Sequence, residues 1–446
     1  MGVQRDDAER AASGGHDTTV AVVGAGLSGL TAARELHRAG VEVIVLEAAE
    51  RLGGRALTVT SALGSRLDLG GQWIGHDHSR IMALAAELGA TQFRMHTSPL
   101  PVVIDGSRRL RAGAPSMLGA LLVLAGVEVL SRVATTQRWN TTTVEAWLRR
   151  LPRRIRRLLE VLAYISWTAD LDRYSIHAMA KAIRQQGGLR AMLSTTGGAQ
   201  ESLLVEGAGA LIDGLAGELG SRVRPGHRVT SIVCRDGGVT VHTTAGDVRA
   251  AKVIVTVPPP IAGRIAYDPP LPPSRAALAS DTYMGSVYKG VAVYPRPFWR
   301  DRVGGEFLVL DKPGRAVFDT SAPGGPGHLC VLVGGPEARE LDRLDAPARR
   351  DAVLGALAAY VGPEVLDPAS WHEKSWHLDE YVGGGYVALA QPGTSGGIPP
   401  IACTPVGDIH WAGSETARDH PGYLDGAIES GTRVAREVIE ALTGSE

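Results

Sequence analysis

A glycine-rich turn between a predicted strand and a predicted helix constrains this chain more than any other feature. The apolar stretch Thr18–Val23 predicts a buried strand, and residues 30–38 predict a helix. The turn between them has the spacing G-x-G-x-x-G, with its glycines at Gly24, Gly26 and Gly29. In this spacing the first glycine allows the tight turn, the second lets the backbone approach a pyrophosphate, and the third lets helix and strand pack closely. The segment therefore predicts a dinucleotide site at the start of the helix.

An acidic residue at the end of the next predicted strand strengthens this interpretation. Residues 41–46 form a second apolar stretch, and Glu47 follows it directly, 18 residues after Gly29. A carboxylate in that place accepts hydrogen bonds from ribose hydroxyls. The order of strand, turn, helix and second strand, followed by an acidic residue, predicts a βαβ unit that binds a dinucleotide. The alternative is a glycine-rich turn without a ligand.

Length and charge limit the classes of protein to which this chain can belong. Its 446 residues predict two or three domains. The net charge of -1, from 46 basic and 47 acidic residues, creates no general attraction for nucleic acid. Predicted helices and strands alternate along the chain, which is typical of an α/β protein, here with a mixed second domain.

Cysteine and histidine spacing argues against a disulfide framework and against a metal site. The three cysteines are widely separated and form no C-x-x-C pair, and free thiols suit a reducing compartment, which favours a cytoplasmic protein. The thirteen histidines show no H-E-x-x-H or comparable spacing, so no metal is expected. Residues 1–16 are polar and predict a flexible N-terminus rather than a signal segment.

Two stretches in the first half of the chain allow more than one interpretation. Residues 113–133 are strongly apolar but include Glu128, and they predict a buried helix rather than a membrane span. Six arginines crowd residues 149–157, where a solvated helix face or a partner surface is favoured over contact with nucleic acid or an anionic membrane. No membrane partner is therefore expected. The oligomeric state stays open, with a homodimer as one option.

A second glycine pair, flanked by arginines, distinguishes between the dinucleotides. Arg51 and Arg55 enclose Gly53 and Gly54 shortly after Glu47. A nicotinamide nucleotide has no general need for these groups, whereas a larger flavin nucleotide uses more backbone approach and more cationic charge near its pyrophosphate. The order of the two motifs resembles the FAD-binding start of the flavin-dependent amine oxidase superfamily.

Further segments carry this resemblance along most of the chain and are most similar to the monoamine oxidase branch. They are residues 68–73 (DLGGQW), 194–201 (STTGGAQE), 285–289 (GSVYK), 376–386, 411–416 (WAGSET) and 422–427 (GYLDGA). The resemblance implies an α/β fold of the p-hydroxybenzoate hydroxylase-like type, in which a Rossmann-like FAD-binding domain is joined to a discontinuous mixed α+β substrate domain. It places the FAD-binding domain at residues 17–76, 205–279 and 379–446, and the substrate domain at 77–204 and 280–378.

Carried onto this sequence, the resemblance implies cofactor contacts from both ends of the chain. They are Gly24, Gly26, Gly29, Glu47, Arg51, Gly54, Arg55, Gly71, Gln72, Trp73, Val229, Trp376, Gly413, Ser414, Glu415, Tyr423 and Leu424. Gly385 stands where mitochondrial monoamine oxidases have a cysteine bonded to the flavin, so FAD is expected to be non-covalent. None of the three cysteines is near this motif in the sequence, and a histidyl link stays open.

Lys289 is the first candidate catalytic residue. It is one of only five lysines and lies in an apolar predicted strand. The alternation of side chains along a strand puts Val287, Lys289 and Val291 on one face, which favours a buried lysine over a solvent-facing one. The resemblance implies that this lysine holds a water against the flavin N5 atom.

Two tyrosines and two further residues are the candidate substrate contacts. Tyr386 and Tyr423 match the family pair that sandwiches the amine, where electron-rich rings orient it and exclude bulk water. The alternative is two core tyrosines. Retention of both argues against the polyamine oxidase branch. Leu193 and Gln200 match an apolar gate and a cavity glutamine, and His420 is a further option for the cavity wall.

The implied reaction is oxidation of an amine. A hydride passes from the amine to the flavin, the imine hydrolyses to an aldehyde or ketone, and O2 reoxidises the flavin to give hydrogen peroxide. Alternatives are a tailoring enzyme for an amine-bearing natural product, an L-amino acid enzyme, a flavin desaturase or protoporphyrinogen-type oxidase, and a non-catalytic flavin-binding protein. An L-amino acid enzyme would place an arginine soon after the Gly-Gly turn. Here Arg80 comes late, so a carboxylate clamp is not supported.

Overall fold

The computed structural model describes residues 17–97, 101–106, 108–133 and 137–444. Residues 1–16, where the sequence predicts a flexible N-terminus, lie outside the described residues. Two large sheets dominate the described part of the chain, one of eight strands and one of seven. Together with the helices that cover them they form the α/β fold that the sequence predicts.

The eight-stranded sheet is built around Thr18–Val23, whose small and β-branched side chains are almost all buried. This strand pairs in parallel with Val43–Leu46 on one side and with Gly246–Val255 on the other. Parallel strands are covered on both faces, which explains why Thr18–Val23 and Val43–Leu46 are almost continuously apolar and buried. The other strands are Val223–Arg224, Val229–Arg235, Gly238–Thr243, Ala266–Asp268 and Ile409–Trp411.

Two helices from opposite ends of the chain pack together beside this sheet. The first helix, Leu27–Arg38, crosses the C-terminal helix, Leu424–Thr443. A Cβ atom on Gly431 would lie 2.4 Å from the carbonyl oxygen of Ser28, so a glycine is needed for this close crossing. The hydroxyls of Ser28 and Ser430 are hydrogen-bonded across it at 2.9 Å. The two ends of the chain therefore form one structural unit.

The seven-stranded sheet holds the predicted lysine strand between two antiparallel neighbours. Val287–Tyr294 pairs with Gly327–Gly334 and with Ser370–Ser375. Alternate residues of the strand belong to different apolar clusters, so that Lys289 and Tyr288 lie on opposite faces. The other strands are Val102–Asp105, Arg108–Arg109, Glu306–Val309 and Arg315–Asp319.

Helices and short strand pairs complete the described chain. The strand pairs are Thr58–Thr60 with Arg66–Asp68, Gln92–Arg94 with Ser202–Leu204, and Thr282–Gly285 with Gly385–Ala390. The remaining α-helices are Ser79–Glu87, Pro115–Val133, Gln137–Thr141, Val144–Leu148, Arg153–Trp167, Ile176–Gln185, Leu189–Leu193, Gly209–Leu219, Pro259–Ala262, Pro273–Ala276, Leu278–Asp281, Pro336–Leu341, Ala346–Leu354 and Ala358–Val361.

The prediction of a buried helix at residues 113–133 is wrong in its burial. A helix does form at Pro115–Val133, but Leu122 is 75% exposed and Val129 is 65% exposed. The helices Arg153–Trp167 and Ile176–Gln185 pack against it, and they cover only part of its circumference. Of the described helices, it is the one long and apolar enough to cross a membrane. Composition measures how apolar a helix is and says nothing of how many neighbours cover it.

The sequence pattern of residues 76–96 also predicts a helix, and the structure has a shorter one. The helix is confined to Ser79–Glu87, because Gly89 adopts a φ of +72° that ends it. Gln92–Arg94 is then drawn into a strand by pairing with Ser202–Leu204. The division of the chain into two discontinuous domains stays a prediction.

Candidate active site

A cavity of about 670 Å³ is lined by residues of both large sheets. It starts at the glycine-rich turn and reaches the helices of the apolar core. Most of the predicted site residues come together in its wall, although they lie in separate stretches of sequence. These are Gly24, Gly26, Glu47, Arg51, Gly54, Arg55, Gly71, Gln72, Trp73, Leu193, Gln200, Val229, Lys289, Trp376, Tyr386, Gly413, Ser414, Tyr423 and Leu424.

The glycine-rich turn has the geometry that an anion needs. Gly24 has a φ of +104°, which favours glycine, and a Cβ atom on Gly29 would lie 2.0 Å from the carbonyl oxygen of Gly24. Gly29 is therefore behind the cavity wall, where it allows the helix to approach the strand. Among the described residues, no side chain caps the first helix at Gly26, and its first turn carries no acidic residue. Its free N–H groups and positive helix end suit a phosphate.

Glu47 is held rigidly at the opposite side of this turn. One carboxylate oxygen accepts the N–H of Ala25 at 2.7 Å, and the other accepts the N–H of Ala49 at 2.9 Å. The side chain lines the cavity and is 8% exposed. An ionised carboxylate has about four lone-pair sites, so it can still accept from a ribose hydroxyl.

Arg51 and Arg55 are both anchored, but in different ways. Arg51 donates to the carbonyl oxygen of Gly54 at 2.9 Å and to Asp379 at 3.2 Å. Its guanidinium carbon lies 5.4 Å from the ring centroid of Trp376. These contacts fix the guanidinium of Arg51 and the ring of Trp376 in the cavity wall.

Arg55 forms a fork with Glu415, which the sequence predicted as a cofactor contact. Two N–H groups of Arg55 bond the two carboxylate oxygens at 2.6 and 3.0 Å, and Arg55 also donates to the carbonyl oxygen of Tyr386 at 2.8 Å. Glu415 is fully buried and does not itself line the cavity. Burial alone would raise the pKa of Glu415, but the charge and hydrogen bonds of Arg55 hold that pKa below its usual value. Glu415 therefore acts on the cavity through Arg55.

Lys289 is buried at the centre of the cavity wall. Its Nζ atom donates to Oε1 of Gln72 at 2.7 Å and to the carbonyl oxygen of Gly70 at 2.8 Å. Burial lowers the pKa of Lys289, and the neighbouring Cys330 and Asp68 oppose that shift. An ammonium has three N–H donors, and these two bonds use two of them. The third can serve a small group inside the cavity.

Tyr386 and Tyr423 both line the cavity, from different elements. Tyr386 lies in the strand Gly385–Ala390, and Tyr423 directly precedes the C-terminal helix. Burial raises the pKa of Tyr423 to about 12, helped by Asp77. Burial, Cys330 and Tyr423 together raise the pKa of Tyr386. Both phenols are therefore uncharged at neutral pH and present neutral, electron-rich rings.

A pair of histidines lies behind Tyr423. The ring of His78 meets that of Tyr423 edge-on at 5.1 Å and lies 4.4 Å from the ring of His420. His78 accepts the N–H of Gly75 through Nδ1 at 2.9 Å. Burial, and then His420, lower the pKa of His78 to about 4. Asp77 completes a group whose ligand-type atoms lie within 4.8 Å of one another. The sequence offers His420 as an option for the cavity wall, but His420 packs on His78 and does not line the cavity.

The sequence did not predict the contact of His78 with Tyr423 or the position of Cys330 beside Gln72. Cys330 is distant from the C-terminal motif in sequence, yet it pairs with Val291 across the sheet and its Sγ atom accepts from Gln72 at 3.8 Å. Burial raises the pKa of Cys330, which keeps it a thiol, and the residue does not line the cavity. The strand register carried this information, and the sequence alone does not give that register.

The seven-stranded sheet and the helices beside it contribute a mostly apolar part of the cavity wall, in which Gln186, Gln200 and Glu306 are polar exceptions. The helix Arg153–Trp167 contributes Leu158, Leu162 and Ile165, and the seven-stranded sheet contributes Phe318 and Leu332. By contrast Arg80 is not in this wall, because it pairs with Asp425 at 3.0 Å and with Asp419 at 2.8 Å. This end of the cavity therefore suits a carbon body better than a carboxylate.

A buried lysine, a phosphate-suited turn and an aromatic pair on one cavity define a dinucleotide-dependent oxidoreductase. The family described as flavin containing amine oxidoreductase matches residues 27–439, and the chain belongs to that family. It therefore carries a flavin. The start of the first helix, which has no side-chain cap at Gly26 and no acidic residue in its first turn, suits the phosphates of FAD. Glu47 and Arg51 suit its ribose and its negative charge.

Relatives and solved structures agree with this assignment. The chain is 35% identical to a putative flavin-containing monoamine oxidase, AofH, of Mycobacterium tuberculosis, over 95% of this chain and 97% of the relative. It is 31% identical to the flavin-containing amine oxidase B of Sus scrofa, over 95% and 86% of the two chains. Its fold is similar to cyclohexylamine oxidase from Brevibacterium oxydans, with a TM-score of 0.91 and 28% identity over 96% and 100%. A putrescine oxidase bound to putrescine has a TM-score of 0.84 and 27% identity, over 95% and 99%.

Proposed function

We propose that this amine oxidase acts on amines with an apolar body and one cationic group. The observation that carries the proposal is the cavity wall, where Tyr386 and Tyr423 lie with Lys289. The seven-stranded sheet and the helices beside it add mostly aliphatic and aromatic side chains to this wall, with polar exceptions that include Glu306. An ammonium or amine is attracted to the faces of aromatic rings, while a carbon body gains from contact with the apolar walls.

FAD, when bound, supplies the two-electron acceptor that takes hydride from the amine α-carbon and then passes the electrons to O2, which becomes hydrogen peroxide. The oxidised amine leaves as an imine, and water hydrolyses this to a carbonyl compound. We propose that the cofactor is held non-covalently. Support comes from Gly385, which has no side chain to form a bond, and from Cys330, which is outside the cavity wall.

The residues of this chain orient the amine and control protons around it. The raised pKa values of Tyr386 and Tyr423 keep both rings neutral, so they attract the amine without ion pairing with it. The bonds from Lys289 to Gln72 and Gly70 fix the position of Nζ, which can hold a water through its third donor. Leu193 and Gln200 lie in the same wall and are the proposed gate and amide contact for the substrate.

An L-amino acid substrate is the main competing proposal. An L-amino acid dehydrogenase of a Synechocystis strain is 32% identical over 94% of both chains. Such a substrate needs a cation for its carboxylate. The nearest candidate from sequence, Arg80, is paired with two aspartates away from the cavity, which favours the simple amine. The free cysteines also support a cytoplasmic location as part of the proposal.

The test is an anaerobic titration of the purified holoenzyme, following the visible absorbance of its flavin. The panel is cyclohexylamine, benzylamine, putrescine and L-leucine, with Tyr386→Ala as the site control. We expect the two apolar amines to bleach the flavin of the wild type and to do so poorly in the variant. Bleaching by putrescine or L-leucine alone would contradict the proposed substrate class. If nothing bleaches the flavin, a specialised metabolite or a desaturase becomes the better proposal. Admission of air then tests O2 as the acceptor.

A further inference from the structure

The helix Pro115–Val133 carries an apolar stripe that the other described residues leave uncovered. Five of the ten large apolar side chains that are exposed in the described chain belong to this helix: Leu118, Leu121, Leu122, Val129 and Val133. Four of them, at positions 118, 122, 129 and 133, are separated by four or seven residues and so lie on one side of the helix. At 1.5 Å per residue the stripe is about 22 Å long. A contiguous apolar patch on the surface of a single chain marks a site that binds a protein, a membrane or a ligand.

The other side of the same helix belongs to the cavity. Met117, Ala120 and Leu124 line the cavity, and Ala120 and Val127 are buried. Leu121 is 53% exposed and also lines the cavity, so it lies between the inner and outer faces. The helix is therefore the wall that separates the cavity from whatever covers the stripe.

Exposed arginines lie near both ends of this helix and on a neighbouring helix. Arg132, in the last turn, has a side chain that is 75% exposed and pairs with Glu128 at 3.4 Å. Arg153 and Arg154 begin the helix whose Ile155 packs on Gly119. The strand Arg108–Arg109 and Arg111, just before the apolar helix, are exposed as well. Because the net charge of the chain is -1, this positive charge is local and not a property of the whole protein.

We propose that the stripe and its arginines dock on an anionic lipid bilayer, with the helix lying in the membrane interface. Apolar side chains flanked by basic residues are the pattern by which a helix binds such an interface without spanning it. Contact between two copies through the same patch would bring each arginine rim against itself, which disfavours a second copy as the occupant. A lipid surface would then be a partner of this protein, contrary to the expectation from its composition.

Docking in this way would place the cavity wall against the lipid. Apolar amines concentrate in membranes, so the protein would collect its substrate from the bilayer and not only from water. This consequence rests on the proposed function. The docking itself does not, because it depends only on the outer face of the helix.

The test is flotation of the purified holoenzyme with phosphatidylcholine vesicles, with and without phosphatidylglycerol. Leu122→Glu introduces a charge at the most exposed position of the stripe, and Leu366→Glu is the matched control on another surface, where the leucine is 44% exposed. We expect wild type and L366E to float with the phosphatidylglycerol vesicles and to bind the neutral vesicles weakly. The partition of L122E should be about tenfold lower, since a leucine that would insert into the lipid is replaced by a charge. Arg153→Glu with Arg154→Glu should weaken binding to the anionic vesicles, and added salt should do the same.

Several outcomes would overturn the proposal. Wild type that fails to float, or L122E that floats as well as wild type, removes the lipid surface as the occupant. A wild-type dimer in sedimentation velocity that L122E converts to a monomer, with no flotation, would assign the stripe to a second copy. Flavin absorbance and thermal unfolding are measured for each variant to check that its fold is intact. Amine oxidation in detergent-free buffer tests the proposed function separately, because L122E leaves the catalytic groups in place.

Discussion

Lys289 donates a hydrogen bond of 2.7 Å to Oε1 of Gln72, across two segments that are 217 residues apart. Gln72 follows the Gly70–Gly71 turn, and the carbonyl oxygen of Gly70 accepts a second bond from the same lysine. The bond therefore ties the seven-stranded sheet to the turn that borders the proposed cofactor position. A water or other small group bound to Nζ of Lys289 therefore has a defined position relative to the sheet and to the turn.

Replacement of Lys289 by methionine is expected to impair chemistry while leaving the flavin bound. Methionine fills a similar volume but leaves Gln72 and Gly70 without their donor, a loss of about 1–3 kcal/mol of stability. Turnover should fall about 100-fold, because a positioned proton donor is removed. Stopped-flow measurements of flavin reduction and of reoxidation by O2 separate the two steps. The matched control is Lys252→Met, at a lysine paired with Asp408 outside the cavity wall. Full turnover in K289M would remove the lysine from the mechanism.

The tyrosine pair is expected to act through its rings more than through its hydroxyls. Tyr386→Ala and Tyr423→Ala should each lower kcat/KM about tenfold or more, since a desolvated cation–π contact contributes about 2 kcal/mol. Tyr386→Phe and Tyr423→Phe keep the ring and should retain most of the activity. Steady-state kinetics with one amine, together with flavin content, checks this. If the phenylalanine variants are as impaired as the alanine variants, the hydroxyls and not the ring faces carry the effect.

The Arg55–Glu415 fork predicts a specific acid sensitivity. The pKa of Glu415 is depressed below its ordinary value of 4.5 in the folded protein. A depressed carboxyl contributes stability above its unfolded pKa, and this contribution is lost as pH falls through the lower, folded pKa. Glu415→Gln should therefore destabilise the holoenzyme by roughly 3 kcal/mol at neutral pH, because it leaves Arg55 without its partner. Denaturation at a series of pH values should show that the variant loses part of the wild-type slope below about pH 4.5.

His78 predicts a second pH dependence, in a higher range. Its pKa falls from 6.5 to about 4 on folding, so the unfolded chain binds the proton more tightly. The contribution of neutral His78 to the free energy of unfolding is therefore fully present above pH 6.5. It decreases as the pH falls from 6.5 toward 4, by up to about 3 kcal/mol. His78→Gln should reduce this slope. Urea denaturation at pH 5 and pH 7.5 makes the comparison. An unchanged slope in H78Q would show that His78 does not titrate in this range.

Gly29→Ala is expected to abolish flavin retention. The added Cβ atom would lie 2.0 Å from the carbonyl oxygen of Gly24, so helix and turn must separate. Gly126→Ala is the control, because a Cβ atom there meets no heavy atom within 4 Å and alanine favours a helix by about 1 kcal/mol. The ratio of visible to ultraviolet absorbance after gel filtration measures bound flavin. Flavin retention in G29A equal to that in G126A would contradict the close packing described here.

The sequence predicts those parts of the site whose geometry is local. The first βαβ unit could be predicted because its spacing and strand pattern lie within thirty residues. The burial of Lys289 follows from the period of two in an apolar strand, and the structure places it 3% exposed. The predicted roles of Lys289 and the two tyrosines stay proposals.

What the sequence could not predict depends on contacts between distant segments. His78 reaches Tyr423 only because the helix Ser79–Glu87 packs beside the C-terminal helix. Cys330 reaches Gln72 through a strand register that no local pattern encodes. Composition alone predicts that the apolar helix is a core element, whereas its burial depends on neighbours that are distant in the sequence.

The fork between Arg55 and Glu415 joins residues 360 positions apart, next to the crossing of the first and last helices. During synthesis the N-terminal turn therefore exists long before the residue that orients its arginine has been made. The cofactor pocket can mature only after residue 415 has been made and has left the ribosome. Flavin capture therefore waits for this late segment, and a chain that ends before residue 415 should emerge from expression colourless.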